Sequence, residues 1–177
     1  MEKEKKSLSK YITKKELISY IAIILFVILF RTFIATPIRV NGTSMDTTLR
    51  DKEIMILNKL DYKFNKITRF DIVVIKLGNE SLIKRVIALP GETLEYIDDI
   101  LYINGKEIPE FFKNQSTKDF HIAELGYDKV PDDCYIVLGD NRKDSLDSRI
   151  LGCIDKKNIK GTANFVIWPF KNFGIKK

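Results

Sequence analysis

The chain has 177 residues, 45% hydrophobic and 31% charged, with a formal net charge of +6. That length supports one modest core, and the apolar content excludes a disordered chain. Residues 1–38 hold seven Lys/Arg against three Glu, a net +4, which leaves +2 for all that follows. A basic tail on a nearly neutral domain suits anionic membrane lipids better than nucleic acid, which needs charge clustered on the fold itself.

Met1 to Glu16 is short and basic, with Lys3, Lys5, Lys6, Lys10, Lys14 and Lys15. From Leu17 to Ile38 the chain is almost wholly apolar, broken by Ser19, Tyr20, Arg31, Thr32, Thr36 and Pro37. Ile21 to Phe30 alone is too short to span a membrane. With Leu17–Tyr20 and Thr32–Ala35 it reaches roughly the 20 residues a helix needs to cross about 30 Å. Arg31 lies near enough to one end to snorkel. The lysines hold the N-terminus inside. The expected organisation is a cytoplasmic tail over 1–16, a transmembrane signal-anchor helix over 17–38 and an extracytoplasmic catalytic domain over 39–177. A cleaved leader needs small residues at the third and last positions before the cut. Ending at Ala35 puts Phe33 at the third, so an uncleaved anchor is expected.

Beyond the anchor the pattern changes to short β-rich runs. Glu53–Leu57, Asp71–Ile75 and Leu82–Leu89 read as strands, the last closed by Pro90-Gly91. Thr93–Ile97 and Ile100–Ile103 pair across Asp98-Asp99, and Asn104-Gly105 is a tight-turn signal leading into Lys106–Ile108. Pro109 to Asp133 reads as a loop-rich excursion. Cys134–Leu138 and Ala163–Trp168 are the remaining strands. The predicted fold is mostly β, an antiparallel sheet or barrel-like catalytic domain behind one N-terminal transmembrane helix.

Cys134 and Cys153 have neither CxxC nor histidine spacing, which argues against a metal. A disulfide between them and two free thiols both remain open. The only histidine, His121, sits in the least structured region and reads as an exposed loop residue. A Ser-His-Asp site would have to use it, so any nucleophile here needs another base. Lys84 is the candidate. It lies in Leu82–Leu89, where alternation puts Leu82, Lys84, Val86 and Ala88 on one face and Arg85 on the other. Desolvation there favours the neutral amine. Bringing a lysine from about 10.4 to near 7 requires about 4 to 5 kcal/mol, within reach of burial. Ser44 lies in Val40–Leu49, which alone reads as a polar linker. The loop Gly139–Arg149 offers Ser145 as a hydrogen-bonding partner for an amine. Asp140, Asp147, Arg142 and Arg149 supply charge pairs to stiffen that loop.

Together these stretches resemble type I signal peptidases, membrane-anchored serine peptidases with a Ser-Lys dyad, over nearly the whole chain. The resemblance rests on Gly42-Thr43-Ser44-Met45 with Thr48-Leu49, Arg69-Phe70-Asp71-Ile72-Val73-Val74, Ile83 to Glu92, and Gly139 to Arg149, in that order. It implies Ser44 as nucleophile, Lys84 as general base and Ser145 as the residue orienting the lysine. Asp147 and Arg149 would form a structural pair, with Asp140 in support and Gly139 close to the dyad. It also implies secretory preproteins as substrates, with small residues before the cut and pockets shaped by Val40, Met45 and Ile83, and no metal or cofactor. Two positions depart from the pattern. Thr47 replaces a usual proline, and Gly42 stands where some relatives carry a serine that helps bind the oxyanion. The competing readings are a self-cleaving repressor, which would be soluble and carry a DNA-binding domain, and a non-catalytic peptide-binding β module or accessory subunit.

Overall fold

The computed structural model describes residues 13–60, 67–113 and 115–176, so Lys3, Lys5, Lys6 and Lys10 of the basic tail lie outside the described residues. The chain forms two units, residues 1–35 and 36–177. The first contains helix α1, Lys14–Phe33, with no buried residue. Its start is set by a capping box, in which the Thr13 N–H donates to Glu16 Oε2 at 2.6 Å and the Glu16 N–H to Thr13 Oγ1 at 3.3 Å. Its 20 residues are long and apolar enough to cross a membrane. The helix differs from the expected 17–38 at both ends. The capping box recruits Lys14 to Glu16, and Pro37 holds Thr36 extended. Ala35–Arg39 is therefore strand β1 rather than a continuation of the helix.

The second unit is antiparallel β, as expected. Its larger sheet contains β1, β2 (Ile54–Asn58), β3 (Ile72–Leu77), β4 (Glu80–Ala88), β9 (Cys134–Leu138), β10 (Ile154–Asp155), β11 (Ile159–Trp168) and β12 (Gly174–Ile175). The spatial order is β1-β2-β11-β3-β4-β9-β10, with β12 against β11. The smaller sheet runs β7-β6-β5-β8, from β5 (Leu94–Ile97), β6 (Ile100–Ile103), β7 (Lys106–Ile108) and β8 (Phe120–His121). Two-residue turns make its hairpins. Asp98 and Asp99 have φ of 49° and 68°, and Asn104 and Gly105 have 51° and 73°. Left-handed backbone at both central residues matches the twist of the flanking strands.

Strand β4 is central to the core. Val86 packs with Val73, Ile75 and Val137 on one side, while Ile87 and Ala88 join Leu94, Tyr96 and Leu138 on the other. Both faces are covered, so Lys84 and Arg85 are buried side by side, pointing opposite ways. The excursion after Pro109 is better ordered than expected. It carries β8 and a turn of 3₁₀ helix, Ile122–Leu125, and Phe120, Ile122 and Val130 enter the core. His121 is exposed, but on β8 rather than a loop. Cys134 and Cys153 form a disulfide that brackets the Gly139–Arg149 loop, which resolves the open choice between bridge and thiols.

Candidate functional site

Three segments converge on Ser44. The first is its own turn. Val40, Met45 and Leu49 are buried at 3%, 1% and 0% exposure, and these apolar anchors hold the polar residues between them at the surface. The Gly42 N–H donates to Asp51 Oδ1 at 2.9 Å, the Asp46 N–H to the Thr43 carbonyl at 3.0 Å and the Leu49 N–H to the Met45 carbonyl at 2.8 Å. Ser44 is half-buried on this scaffold.

The second segment is β4. Lys84 is 2% exposed, and its Nζ donates to Ser44 Oγ at 2.7 Å and to the Ile83 carbonyl at 3.1 Å. Burial pulls the amine down to about 8, with the carboxylates of Asp147 and Asp140 pushing it back up. That opposition keeps it short of the value near 7 that burial alone was expected to give. A neutral amine at this distance is able to take the hydroxyl proton of Ser44.

The third segment is Gly139–Arg149, which follows β9. Asp147 is fully buried. Its Oδ1 and Oδ2 accept from Arg149 Nε and Nη2 at 2.9 and 2.7 Å, and Oδ2 also accepts the Gly139 N–H at 3.1 Å. Asp140 pairs with Arg85 rather than within the loop. Arg85 Nε and Nη2 donate to its two oxygens at 2.8 and 2.7 Å. Arg142 instead reaches Glu110 Oε1 at 2.5 Å, Tyr96 Oη at 3.1 Å, Thr117 Oγ1 and the Gly139 carbonyl at 3.0 Å. Burial among these groups raises the Tyr96 phenol well above its usual value.

Ser145 departs from expectation. Its Oγ is buried with no hydrogen-bond partner among the described residues, and the bonds of the Lys84 amine run to Ser44 and Ile83. No hydrogen bond from Ser145 orients Lys84. Instead Ser145 packs under Gly139, where a Cβ would overlap both Ser145 Oγ and the Ser44 carbonyl. Gly139→Ala should therefore cost about 1 to 3 kcal/mol of stability and separate the loop from the Ser44 turn. Thermal unfolding checks this, and an unchanged midpoint would show that the contact is looser than described.

A cavity of about 200 Å³ lies beside Ser44 and Lys84, and Val40, Met45, Ile83, Leu57 and Val74 contribute to its wall. The structure thus brings Ser44, Lys84, Gly139 and the three expected pocket residues together, with Asp140, Asp147 and Arg149 buttressing the loop. Sequence reasoning did not single out the partners Arg85, Glu110, Thr117 and Tyr96. Of these only Arg85 carried a local signal, as a second charge inside an apolar strand.

A serine hydroxyl and a buried lysine amine beside a small cavity, on an antiparallel β domain, is a hydrolase-like arrangement that needs no histidine. The family model described as "Signal peptidase, peptidase S26" matches residues 13–168. The chain is 41% identical over 176 residues to a signal peptidase I of Bacillus amyloliquefaciens, covering 96% of this chain and 95% of that protein. It is 39% identical over 179 residues to a signal peptidase IB of Staphylococcus aureus, covering 90% of this chain and 94% of that one. A crystal structure of a signal peptidase I from Enterococcus faecalis V583 aligns with a TM-score of 0.52 at 39% identity, over 55% of this chain and 96% of that one. The chain belongs to the signal peptidase family, peptidase S26.

Proposed function

We propose that the protein is a serine endopeptidase that removes signal peptides from translocated preproteins at the outer face of the cytoplasmic membrane, using Ser44 and Lys84. The observation that carries this reading is the 2.7 Å contact between Lys84 Nζ and Ser44 Oγ, made by a lysine that burial drives toward neutrality. Family membership supports the substrate class. The apolar helix Lys14–Phe33 supports a membrane anchor, and the lysines before it support an N-terminus on the inner side.

Neutral Lys84 takes the Ser44 proton as Oγ attacks the scissile carbonyl carbon, forming a C–O bond and an oxyanion. Backbone N–H groups stabilise that charge, the one on Ser44 first among them. The C–N bond then breaks as Lys84 returns the proton to the leaving amine. A water activated by Lys84 hydrolyses the ester and frees Ser44. Extended substrate adds to an exposed strand edge, and the small cavity formed by Val40, Met45 and Ile83 favours short side chains before the cut. A non-catalytic binding module has no use for a buried amine held against a hydroxyl, since burying it costs stability without return.

The test is the pH profile of precursor cleavage by the detergent-solubilised full chain. Below about 8 Lys84 keeps its proton and cannot act as base. The rate should therefore fall about tenfold per pH unit below that value and level off above it. Activity that begins only near the pKa of a free lysine would rule Lys84 out as the base.

A further inference from the structure

The turn that follows Gly139 grips the peptides on both sides of Ser44. The Asn141 N–H donates to the Ser44 carbonyl at 3.1 Å, and Asn141 Nδ2 donates at 3.2 Å to the Thr43 carbonyl, where it adds to the turn's own bond from the Asp46 N–H at 3.0 Å. The Thr43 hydroxyl donates to Asp144 Oδ2 at 2.8 Å, about a hundred residues away in sequence. Asn141 and Asp144 are themselves locked together, since the Asp144 N–H donates to the Asn141 carbonyl at 3.2 Å. These contacts take no part in the proton transfer between Ser44 and Lys84.

Peptide geometry gives them a consequence. The Thr43 carbonyl and the Ser44 N–H are the two ends of one planar trans unit and point in opposite directions. A group that fixes the carbonyl fixes the direction of the N–H. That N–H is the donor proposed above for the oxyanion, and with glycine at position 42 no neighbouring hydroxyl precedes Thr43 to share the task. The hydroxyl of Thr43 itself is engaged by Asp144. Donors aimed before the charge develops cost no reorganisation when it does, so holding this peptide acts on the transition state rather than on substrate binding.

We infer that Asn141 and Asp144 are positioning residues, clasping the Thr43–Ser44 peptide so that the Ser44 N–H points at the developing oxyanion. The inference rests on Ser44 being the nucleophile. Thr43 and Asp144 are both exposed, so substitutions there leave the core intact.

The test is steady-state cleavage of a secretory precursor by the full chain in detergent, comparing wild type with Thr43→Val, Asp144→Ala, the double variant, Thr43→Ser and Ser44→Ala. Thr43→Val and Asp144→Ala should each lower kcat about tenfold with KM nearly unchanged. The double variant should be no worse than either single one, because both remove the same bond. Thr43→Ser, which keeps the hydroxyl, should retain wild-type turnover. The pH at which activity rises should stay put, since Lys84 is untouched. Multiplying losses in the double variant, a loss that appears in KM, a shifted pH profile or a loss that tracks unfolding would each overturn the inference. If activity dies with Ser44→Ala but ignores Thr43→Val, this inference alone falls. If it survives Ser44→Ala, the proposed function falls and takes the inference with it.

Discussion

Ser44→Ala and Lys84→Ala should each lower kcat/KM for precursor cleavage by at least about 10⁴-fold, and the double variant should be hardly worse. The two groups act as one unit. Without Lys84 the Ser44 hydroxyl is a weak nucleophile at neutral pH, and without Ser44 the amine has no proton to take. Lys84→Arg should be as inactive as alanine, because a guanidinium keeps its proton throughout the working range. Stability supplies a second readout with the opposite sign. The folded pKa of Lys84, about 8, lies below the 10.5 of a free lysine. The unfolded chain therefore binds the extra proton between those values, and burying Lys84 costs stability that is fully lost below about 8 and recovered as pH rises toward 10.5. Lys84→Met should accordingly raise the unfolding midpoint at pH 6, by about 1 to 3 kcal/mol of stability, with the gain gone above pH 10. An arginine variant that still cleaves, or a methionine variant less stable than wild type at pH 6, would contradict a buried, deprotonation-prone Lys84.

The parts of this molecule that were legible in its sequence are those governed by short-range pattern. The hairpin turns at Asp98-Asp99 and Asn104-Gly105 announce themselves because few residues accept left-handed backbone. Strand β4 reads correctly because its apolar run is continuous, and Lys84 stands out against it for the same reason. Strand β11 was recovered only from Ala163 onward. Its first half shifts register against β3 between Ile159 and Gly161, and Gly161 lets the Asn58 carbonyl approach where a Cβ would collide. Two-residue strands such as β8 and β12 have no period to detect. The partners within the site were hidden for a different reason. Asp140 had plausible partners two and nine residues on, in Arg142 and Arg149, yet its actual partner is Arg85, fifty-five residues back. Arg142 is claimed by Glu110, thirty-two residues away in a segment that looked like loop. Charge pairs inside a folded core are selected by where the sheets meet, which no local window contains. Ser145 marks the same limit, since spacing places it near the lysine but packing decides that its hydroxyl meets Gly139.

Breaking the Arg85–Asp140 pair should be the most damaging single change to the fold, at about 3 to 5 kcal/mol for Asp140→Ala or Arg85→Met. Both side chains are completely buried and joined by two parallel bonds of 2.8 and 2.7 Å. Arg85 has further partners. Its Nη1 donates to the Phe70 carbonyl at 2.9 Å, its Nη2 reaches Thr48 Oγ1 at 3.3 Å, and its Cζ lies 4.0 Å from the centre of the Phe112 ring. Removing the carboxylate leaves that cation only partly compensated, whereas removing the arginine strands a carboxylate in the core. Replacing both at once, as Arg85→Met with Asp140→Leu, removes the orphan charge and should cost less than either single change. For a chain of this size about 4 kcal/mol corresponds to roughly 8 to 16 °C in unfolding midpoint, so a thermal scan of the three variants resolves the cycle. Losses that simply add would mean the two groups do not depend on each other. The pair also touches the chemistry through electrostatics. Asp140 helps hold the Lys84 proton, so Asp140→Ala removes that attraction and leaves the neighbouring guanidinium uncancelled. Both changes favour the neutral amine. Whatever activity survives in Asp140→Ala should therefore begin at lower pH than in wild type, even as the folded protein becomes harder to keep. If the profile stayed in place or moved alkaline, Asp140 would have no electrostatic hold on Lys84.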